Sequence, residues 1–482
     1  MSPAQKRWLS LASGPFLYLI ITLTTGAKLS TDEVRIIAIA GWMLAWWVTE
    51  VVPIAVTALL PLVLFPMSGL MNVGDTATSY GSKYVFLFMG GFLIALAMEK
   101  WNLHRRIALR IVVAMGTSGR RIVLGFMIAT AFLSMWISNT ATTLMMLPIA
   151  LSVIGLLKER VQDKVMGNRF ALVLLLSIAY AANCGGIATL VGTPPNVAMA
   201  GIISENYSID IGFGHWMLVG VPFSMTMLFV VYWLLTRVLH PIRIPEFEGG
   251  TSLVKEELQK LGPLTESERR VMWVFVITAV LWIFKDFSNQ LQSVIVLNDP
   301  TIAMISGISL FLIANGEKQE KGVLLDWKDT EKLPWGILLL FGGGLALANG
   351  FKSSGLVDTI AAVFAQQEVL GVLGLMIALT LVSLFLTELM SNLALVLVFV
   401  PVVGAIAEGM GLDPLRFAVP VTLAASCAFM LPMATPPNAI VFASGEISIA
   451  KMARTGFLLN IIAALLATAL CWFILDPWLA RL

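Results

Sequence analysis

The chain has 482 residues, 58% hydrophobic and only 12% charged, with a mean hydropathy of +0.88. So little polar surface excludes a water-soluble globule of this size and leaves an all-α polytopic membrane protein as the expected class. The formal net charge is +2, with basic residues scattered between apolar blocks, so no basic patch is available for nucleic acid, which is excluded as a partner.

In chain order, apolar blocks long enough to span fall near residues 8–26, 34–50, 52–70 and 82–98. Lys6 and Arg7 precede the first, but no small-residue cleavage pattern follows before Lys28, so this block reads as a retained helix and not a signal peptide. Residues 102–118 have the spacing of an amphipathic helix lying flat on a membrane surface. The block 121–158 is about twice the length of one crossing and is interrupted by the polar cluster ISNT. Blocks 170–205 and 213–238 follow, the first containing GTPPN at 192–196. A charged linker, 241–269, separates these from blocks 270–288, 301–315 and 334–350. A second amphipathic stretch near 355–367 leads to another double-length block, 368–409, interrupted by MSNL, and then to 415–447 and 456–478. The expectation is about eleven transmembrane helices plus two interrupted blocks, each either two spans or one re-entrant hairpin.

Loop charge orients the chain. With the N-terminus cytoplasmic, the C-terminus outside and both blocks returning to their own side, all but seven of the 31 Lys and Arg residues fall on the cytoplasmic face. Two full spans in each block would preserve the same loop sides.

The two halves repeat. Gly90 and Gly91 match Gly343 and Gly344, Ser138 and Asn139 match Ser391 and Asn392, and Pro148 matches Pro401, all 253 apart. The offset then becomes 242, where Thr193, Pro194, Pro195 and Asn196 match Thr435, Pro436, Pro437 and Asn438. The expected organisation is a first helix in 1–33, a first repeat at 34–240, the linker 241–269 and a second repeat at 270–482. Each copy holds an odd number of crossings, so the second is inserted upside down, the pattern of secondary transporters whose substrate site lies at the repeat interface.

Paired prolines in an apolar block end one half-helix and restart another. Thr193 and Thr435 suit the N-cap, and Pro194 and Pro436 the first helical position, where the missing N–H is not needed. Ser138, Asn139, Ser391 and Asn392 suit caps at the turn of a hairpin. Four helix N-termini then converge at the midplane, each carrying about half a positive charge, a receptor for a small dianion without Lys or Arg. Helix arms ending at the breaks present free carbonyls that, with the hydroxyls of Ser134 and Thr387 and the side chains of Asn139 and Asn392, suit sodium.

SNT at 138–140 with GTPPN at 192–196, and SNL at 391–393 with ATPPN at 434–438, resemble the duplicated signatures of the divalent anion/sodium symporter family, over nearly the whole chain. The resemblance implies a homodimer in which a transport domain, holding both hairpins and both broken helices, moves as an elevator against a scaffold domain. It implies co-transport of sodium with succinate, malate, fumarate or citrate, in some branches sulfate, and no organic cofactor. By similarity, one sodium meets Ser134, Ser138, Asn139 and the Gly192 carbonyl. A second meets Thr387, Asn392 and the Ala434 carbonyl, with Met390 as a backbone ligand. Substrate carboxylates meet Ser138, Asn139, Thr140, Thr193, Ser391, Asn392 and Thr435, beside Pro194 and Pro436. Leu393 departs from the pattern, which often has Thr there; it removes a donor, narrows the pocket and favours a slim dicarboxylate over citrate. Sodium-independent exchangers share this framework and remain the alternative.

Other features read as structural. Glu388 beside a hairpin tip is expected to bond hairpin backbone in preference to relaying protons. His104, His215 and His240 lie at membrane boundaries without metal spacing, and Cys184, Cys427 and Cys471 read as packing residues. No acid, base and nucleophile constellation marks an enzyme.

Overall fold

The computed structural model describes residues 2–24, 29–160, 163–242, 244, 248–291, 295–317, 322–364 and 371–479. Lys28, part of the 241–269 linker and the 365–370 junction between the second amphipathic stretch and the second hairpin block therefore lie outside the described residues.

The described residues form helices and no strand beyond an isolated bridge between Ala314 and Val323. α1 (Pro3–Thr24) pairs with α2 (Thr31–Thr49). Ser30 caps α2 reciprocally: its hydroxyl accepts the Glu33 amide while the Glu33 carboxylate accepts the Ser30 amide. The block expected at 52–70 is split into α3 (Ile54–Thr57) and α4 (Leu60–Ser68), because Pro61 has no N–H to return to the preceding turn. α5 (Val73–Thr78) leads into α6 (Lys83–Lys100), and the amphipathic stretch is a separate helix, α7 (Leu103–Met115).

Both interrupted blocks break where their polar clusters stand. The first is α8 (Gly119–Ser134) and α9 (Asn139–Arg160). The next block is α10 (Lys164–Ile187) and α11 (Pro194–Tyr207), parted at the prolines. α12 (Phe213–Trp233) ends in a π turn, and α13 (Glu248–Lys260), α14 (Glu266–Leu291) and α15 (Asp299–Leu312) follow. The second half runs through α16 (Trp335–Ser353), α17 (Leu356–Phe364), α18 (Gly371–Leu386), α19 (Asn392–Gly409), α20 (Leu415–Ala425), α21 (Pro436–Phe442) and α22 (Ile449–Leu479). Among the described residues, eight helical stretches are long and apolar enough to cross a bilayer, and shorter apolar helices cover 54–68, 299–312, 371–386 and 415–425.

The packing explains why the breaks meet. α10 lies against both arms of the first hairpin, α8 and α9, and α20 lies against α18 and α19. The half-helices after the breaks cross over: α11 packs on α19 and α21 packs on α9. Each hairpin is therefore packed against the broken helix of its own half and against the half-helix that follows the break in the other half. Close approach around this assembly depends on glycine. A Cβ at Gly343 would stand 2.1 Å from the Ala58 carbonyl oxygen, and one at Gly90 would stand 2.5 Å from that of Ala303.

Arg106 is buried in α7. Its guanidinium pairs with the buried Glu268 at 2.8 Å and donates to the carbonyls of Leu261, Gly262 and Pro263, fastening the linker between α13 and α14 to the rest. Removing one member of a buried pair strands the other charge. Arg106→Ala is expected to cost about 3–5 kcal/mol in thermal unfolding of the detergent-solubilised protein, with most of the loss restored in an Arg106→Ala, Glu268→Gln double variant; an unchanged unfolding temperature would contradict this.

Candidate functional site

The four interrupted segments enclose one cavity of about 230 Å³. Its polar wall is Ser138, Asn139, Thr140, Thr193, Ser391, Asn392 and Thr435, with Gly192, Ala434 and both proline pairs, and its apolar wall includes Phe88, Phe92, Ile337, Leu340 and Leu393. Every substrate-contact position expected from the sequence lines this cavity. Among the described residues, no Lys, Arg, Asp or Glu does.

Helix starts face it as the residue types dictate. The Ser138 hydroxyl accepts the Ala141 amide and the Ser391 hydroxyl accepts the Ala394 amide, both at 3.2 Å. Thr193 and Thr435 both occupy the N-cap in extended backbone. Only the second caps with its side chain: Thr435 Oγ1 accepts the Asn438 amide at 3.4 Å, whereas Thr193 makes no cap bond. The four starts also differ in length, since α21 has 7 residues against 14 in α11. A two-turn helix aligns fewer peptide dipoles, so the fourth start contributes less positive potential than the equal shares expected.

Asn183 was not singled out in the sequence. It lines the cavity, and its Nδ2 donates to Thr435 Oγ1 at 3.2 Å and to the Ala428 carbonyl at 3.4 Å. Thr435 Oγ1 thus accepts from both Asn183 and the Asn438 amide, which leaves its own proton to point into the cavity as a donor. The 242-residue offset places Ala425 opposite Asn183, so the repeat gives no signal for it.

Beside the first hairpin tip lies an oxygen cluster without donors. Ser134 Oγ and Asn139 Oδ1 are buried and have no hydrogen-bond partner. A Cβ at Gly192 would stand 3.0 Å from the Ser134 carbonyl oxygen, and one at Gly186 would stand 2.7 Å from Asn139 Oδ1 and 3.1 Å from the Gly192 carbonyl. Buried oxygens lacking donors are groups that a hard cation could satisfy; the structure brings Ser134, Asn139 and Gly192, named from the sequence, together beside Gly186, which the sequence reading did not single out. Ser138 stands at the cavity edge of this cluster, its hydroxyl accepting from Ala141.

The second half is built differently. Thr387 Oγ1 lies 2.7 Å from both Asn392 Oδ1 and the Ala425 carbonyl oxygen. One hydroxyl proton cannot serve two oxygens, so this corner too is short of donors. Ala434 is buried at the cavity wall, but Met390 is not among the lining residues, and its amide is bonded to the Leu386 carbonyl within the hairpin turn.

Glu388 is structural, in a different way from that expected. Its Oε1 and Oε2 accept the amides of Met430 and Leu431 at 2.9 Å, and Oε1 also accepts Asn460 Nδ2 at 2.7 Å. The backbone it satisfies belongs to the unwound stretch between α20 and α21, not to its own hairpin. Asn196 and Asn438 close the two breaks: Asn196 Nδ2 donates to the carbonyls of Gly186, Ile187 and Thr189, and Asn438 Nδ2 to those of Ala428 and Leu431.

A second cavity, of about 390 Å³, shares Phe92, Ser138, Thr140 and Ile337 with the first and continues to Glu99 and Lys332. On the opposite side Lys83 pairs with Asp210 at 2.7 Å, and Lys352 Nζ donates to the Asn206 carbonyl at 2.6 Å. Burial opposes the charged form of Asp210, yet the bonds from Lys83 and Ser204 hold its carboxyl below the usual carboxylate range.

Interrupted helices whose exposed ends line a shared, charge-free cavity define a membrane transporter of the broken-helix class. Its fold is similar to that of MtrF from Neisseria gonorrhoeae, described as illuminating a class of antimetabolite efflux pumps, with a TM-score of 0.58, 12% identity, and coverage of 96% of this chain and 97% of that one. It is also similar to the YdaH transporter of Alcanivorax borkumensis, with a TM-score of 0.54, 13% identity, and coverage of 84% and 88%. The family described as sodium:sulfate symporter transmembrane region matches residues 5–478, and the chain belongs to that family. It is 39% identical over 472 residues to a sodium-dependent dicarboxylate transporter, SdcS, of Staphylococcus saprophyticus, covering 97% of this chain and 91% of the relative. A protein of the same name from Staphylococcus aureus strain USA300 is 38% identical over the same coverage.

The Glu388 contacts make a definite expectation. Glu388→Gln turns an acceptor into an amide that faces amides, and leaving a buried N–H unpaired costs about 1–3 kcal/mol. Thermal stability should fall by that amount while the pH profile of transport keeps its shape; a profile that moves would mark Glu388 as a proton carrier.

Proposed function

We propose that this protein is a secondary transporter importing C4-dicarboxylates such as succinate, malate and fumarate, coupled to sodium. The observation that carries this reading is the single cavity lined by both Ser-Asn pairs and both Thr-Pro-Pro turns, with the unpartnered oxygens of Ser134 and Asn139 beside it. The names of its relatives from Staphylococcus, sodium-dependent dicarboxylate transporters, support a dicarboxylate as the substrate and sodium as the coupling ion.

In this reading the dianion lies between the hairpin tips, one carboxylate at Ser138, Asn139, Thr140 and Thr193 and the other at Ser391, Asn392 and Thr435. Cation one is held by Ser134, Asn139, Gly186 and Gly192, and cation two by Thr387, Asn392 and Ala434. The cavity reaching Glu99 and Lys332 is the route to the cytoplasm. Lys83, Asp210 and Lys352 hold the outer side shut, and an elevator movement of α8–α12 and α18–α22 against the remaining helices breaks those contacts to expose the site outside. The transporter works as a homodimer in the plasma membrane with its N-terminus cytoplasmic and its C-terminus outside. Sulfate is the second reading, favoured by the family's description; the apolar wall of Phe88, Phe92, Leu340 and Leu393 suits the methylene bridge of a dicarboxylate better.

Liposomes carrying the purified protein and no internal dicarboxylate should accumulate labelled succinate only under an inward sodium gradient. Uptake that ignores sodium and requires internal dicarboxylate would instead identify an exchanger. Asn139→Ala should raise the half-saturating sodium concentration at least about tenfold, or about 1.4 kcal/mol. Asn183→Ala should raise the half-saturating succinate concentration several-fold while leaving the maximal rate nearly unchanged.

A further inference from the structure

A cavity separate from the transport site lies where α10 begins, α12 ends and α22 begins. Its volume is about 320 Å³ and it is lined by Val165, Asn168, Arg169, Leu172, His240 and Lys451. Three of these six side chains are basic and none is acidic. Arg169 spends one of its donors on the Pro241 carbonyl at 3.3 Å, leaving most of a five-donor fork available. His240 Nε2 stands 3.2 Å from Thr455 Oγ1. Among the described residues, neither Arg169 nor Lys451 forms an ion pair.

Among the described residues, two carboxylates of the adjoining segments are occupied elsewhere. Asp163 caps α10, its Oδ1 accepting the Val165 and Met166 amides, and Glu446 pairs with Lys158 at 2.7 Å. Burial and the charges of Arg169 and Lys451 hold the His240 imidazole below its ordinary range, as expected where two cations face it without a compensating anion. Positive charges gathered in a recess repel one another, and a bound anion removes that cost.

The surroundings indicate what kind of anion. Val165 at the cavity wall is exposed, as are Trp233 and Val238 near the end of α12 and Ile449, Phe457 and Leu458 in the first part of α22. An ion with hydrocarbon attached has apolar surface to lie along, beside a planar guanidinium suited to two oxygens of one tetrahedral group. The recess also sits on the face that loop charge assigns to the cytoplasm, where anionic lipids gather and basic pockets between helices receive their headgroups.

We propose that Arg169, His240 and Lys451, with the Asn168 amide, form a binding site for a phosphate group, supplied in the membrane by the headgroup of an anionic phospholipid. The site is independent of the transported substrate, so it can fail without touching the transport reading, and the reverse also holds.

The test is native mass spectrometry of the delipidated full-length protein titrated with phosphatidylglycerol or with phosphatidylcholine of the same acyl chains. Wild type should hold one phosphatidylglycerol at least tenfold more tightly than phosphatidylcholine. Lys451→Ala and Arg169→Gln should each lose most of that preference, while Lys255→Ala, an exposed charge lost on α13, should keep it. Millimolar inorganic phosphate competing with the lipid in wild type, but having no effect on the variants, would support recognition through the phosphate. Phosphate binding that depends on these residues without any lipid preference would keep the phosphate site and overturn the lipid as its occupant. Equal binding of the two lipids without phosphate binding, or a preference that survives both substitutions, overturns the proposal. Because Lys451 is exposed and unpaired, its substitution tests binding without threatening the fold.

Discussion

In a bilayer core no water is present to satisfy a free amide or carbonyl, so a helix can be interrupted there only if protein groups take over the lost hydrogen bonds. The centre of this molecule obeys that constraint at each break. Asn196 and Asn438 gather carbonyls at the end of α10 and in the unwound stretches after α10 and α20, and Ser138 and Ser391 each accept one amide at the start of α9 and α19. These side chains do not satisfy every polar group near the breaks. Those left without a partner include the buried oxygens of Ser134 and Asn139, next to the cavity that the helix starts line.

The two halves solve the same problem with different chemistry. In the first, Thr189 accepts the Gly192 amide and donates to the Met135 carbonyl, tying the break to the hairpin through one hydroxyl. The second half has Leu431 at the position matching Thr189 and Glu388 at that matching Met135. There a carboxylate from the hairpin reaches across to two amides and is itself held by Asn460. The stretch between α20 and α21 runs ten residues, 426–435, against six, 188–193, in the first half, so more backbone needs outside partners. A charged acceptor forms stronger bonds than a hydroxyl and serves two amides at once. A buried carboxylate, costly in itself, is tolerable in that position for this reason.

How far the sequence revealed this depends on what kind of residue carries the information. Polar pairs and prolines inside apolar blocks announce themselves, because nothing else explains them at that depth; hence Ser138, Asn139, Thr193, Ser391, Asn392 and Thr435 were legible, and all line the cavity. Asn183 and Gly186 were not, since each sits within an otherwise regular helix; Asn183 meets Thr435 only once the second half folds against it, and Gly186 meets Asn139 and Gly192 only once the hairpin packs on the break. Met390 was named from the family pattern alone, since a backbone carbonyl's direction is set by the local turn and has no sequence signature. Glu388 was recognised as costly, yet which backbone it satisfies is a long-range fact, 42 residues away at Met430. The split of 52–70 into α3 and α4 was legible in principle from Pro61 and was read instead as one span.

Under the proposed function, the lack of any Lys or Arg in the cavity bears directly on coupling. A fixed guanidinium would bind a dianion whether or not sodium were present, and would hold it strongly on both sides of the membrane. Helix ends supply only partial charge, and less at the seven-residue α21 than at the longer α11. The balance must then come from cations bound at Asn139 and Asn392, side chains that face the substrate cavity on one side and the candidate cation oxygens on the other. A cation on those oxygens places positive charge beside the anion and favours each amide with its Nδ2 turned towards it; without the cation that charge is lost. By reciprocity the anion strengthens cation binding by the same factor. A site made of oxygens and helix ends therefore couples the two ligands through the same two asparagines, and needs no titrating or permanently charged side chain to do so.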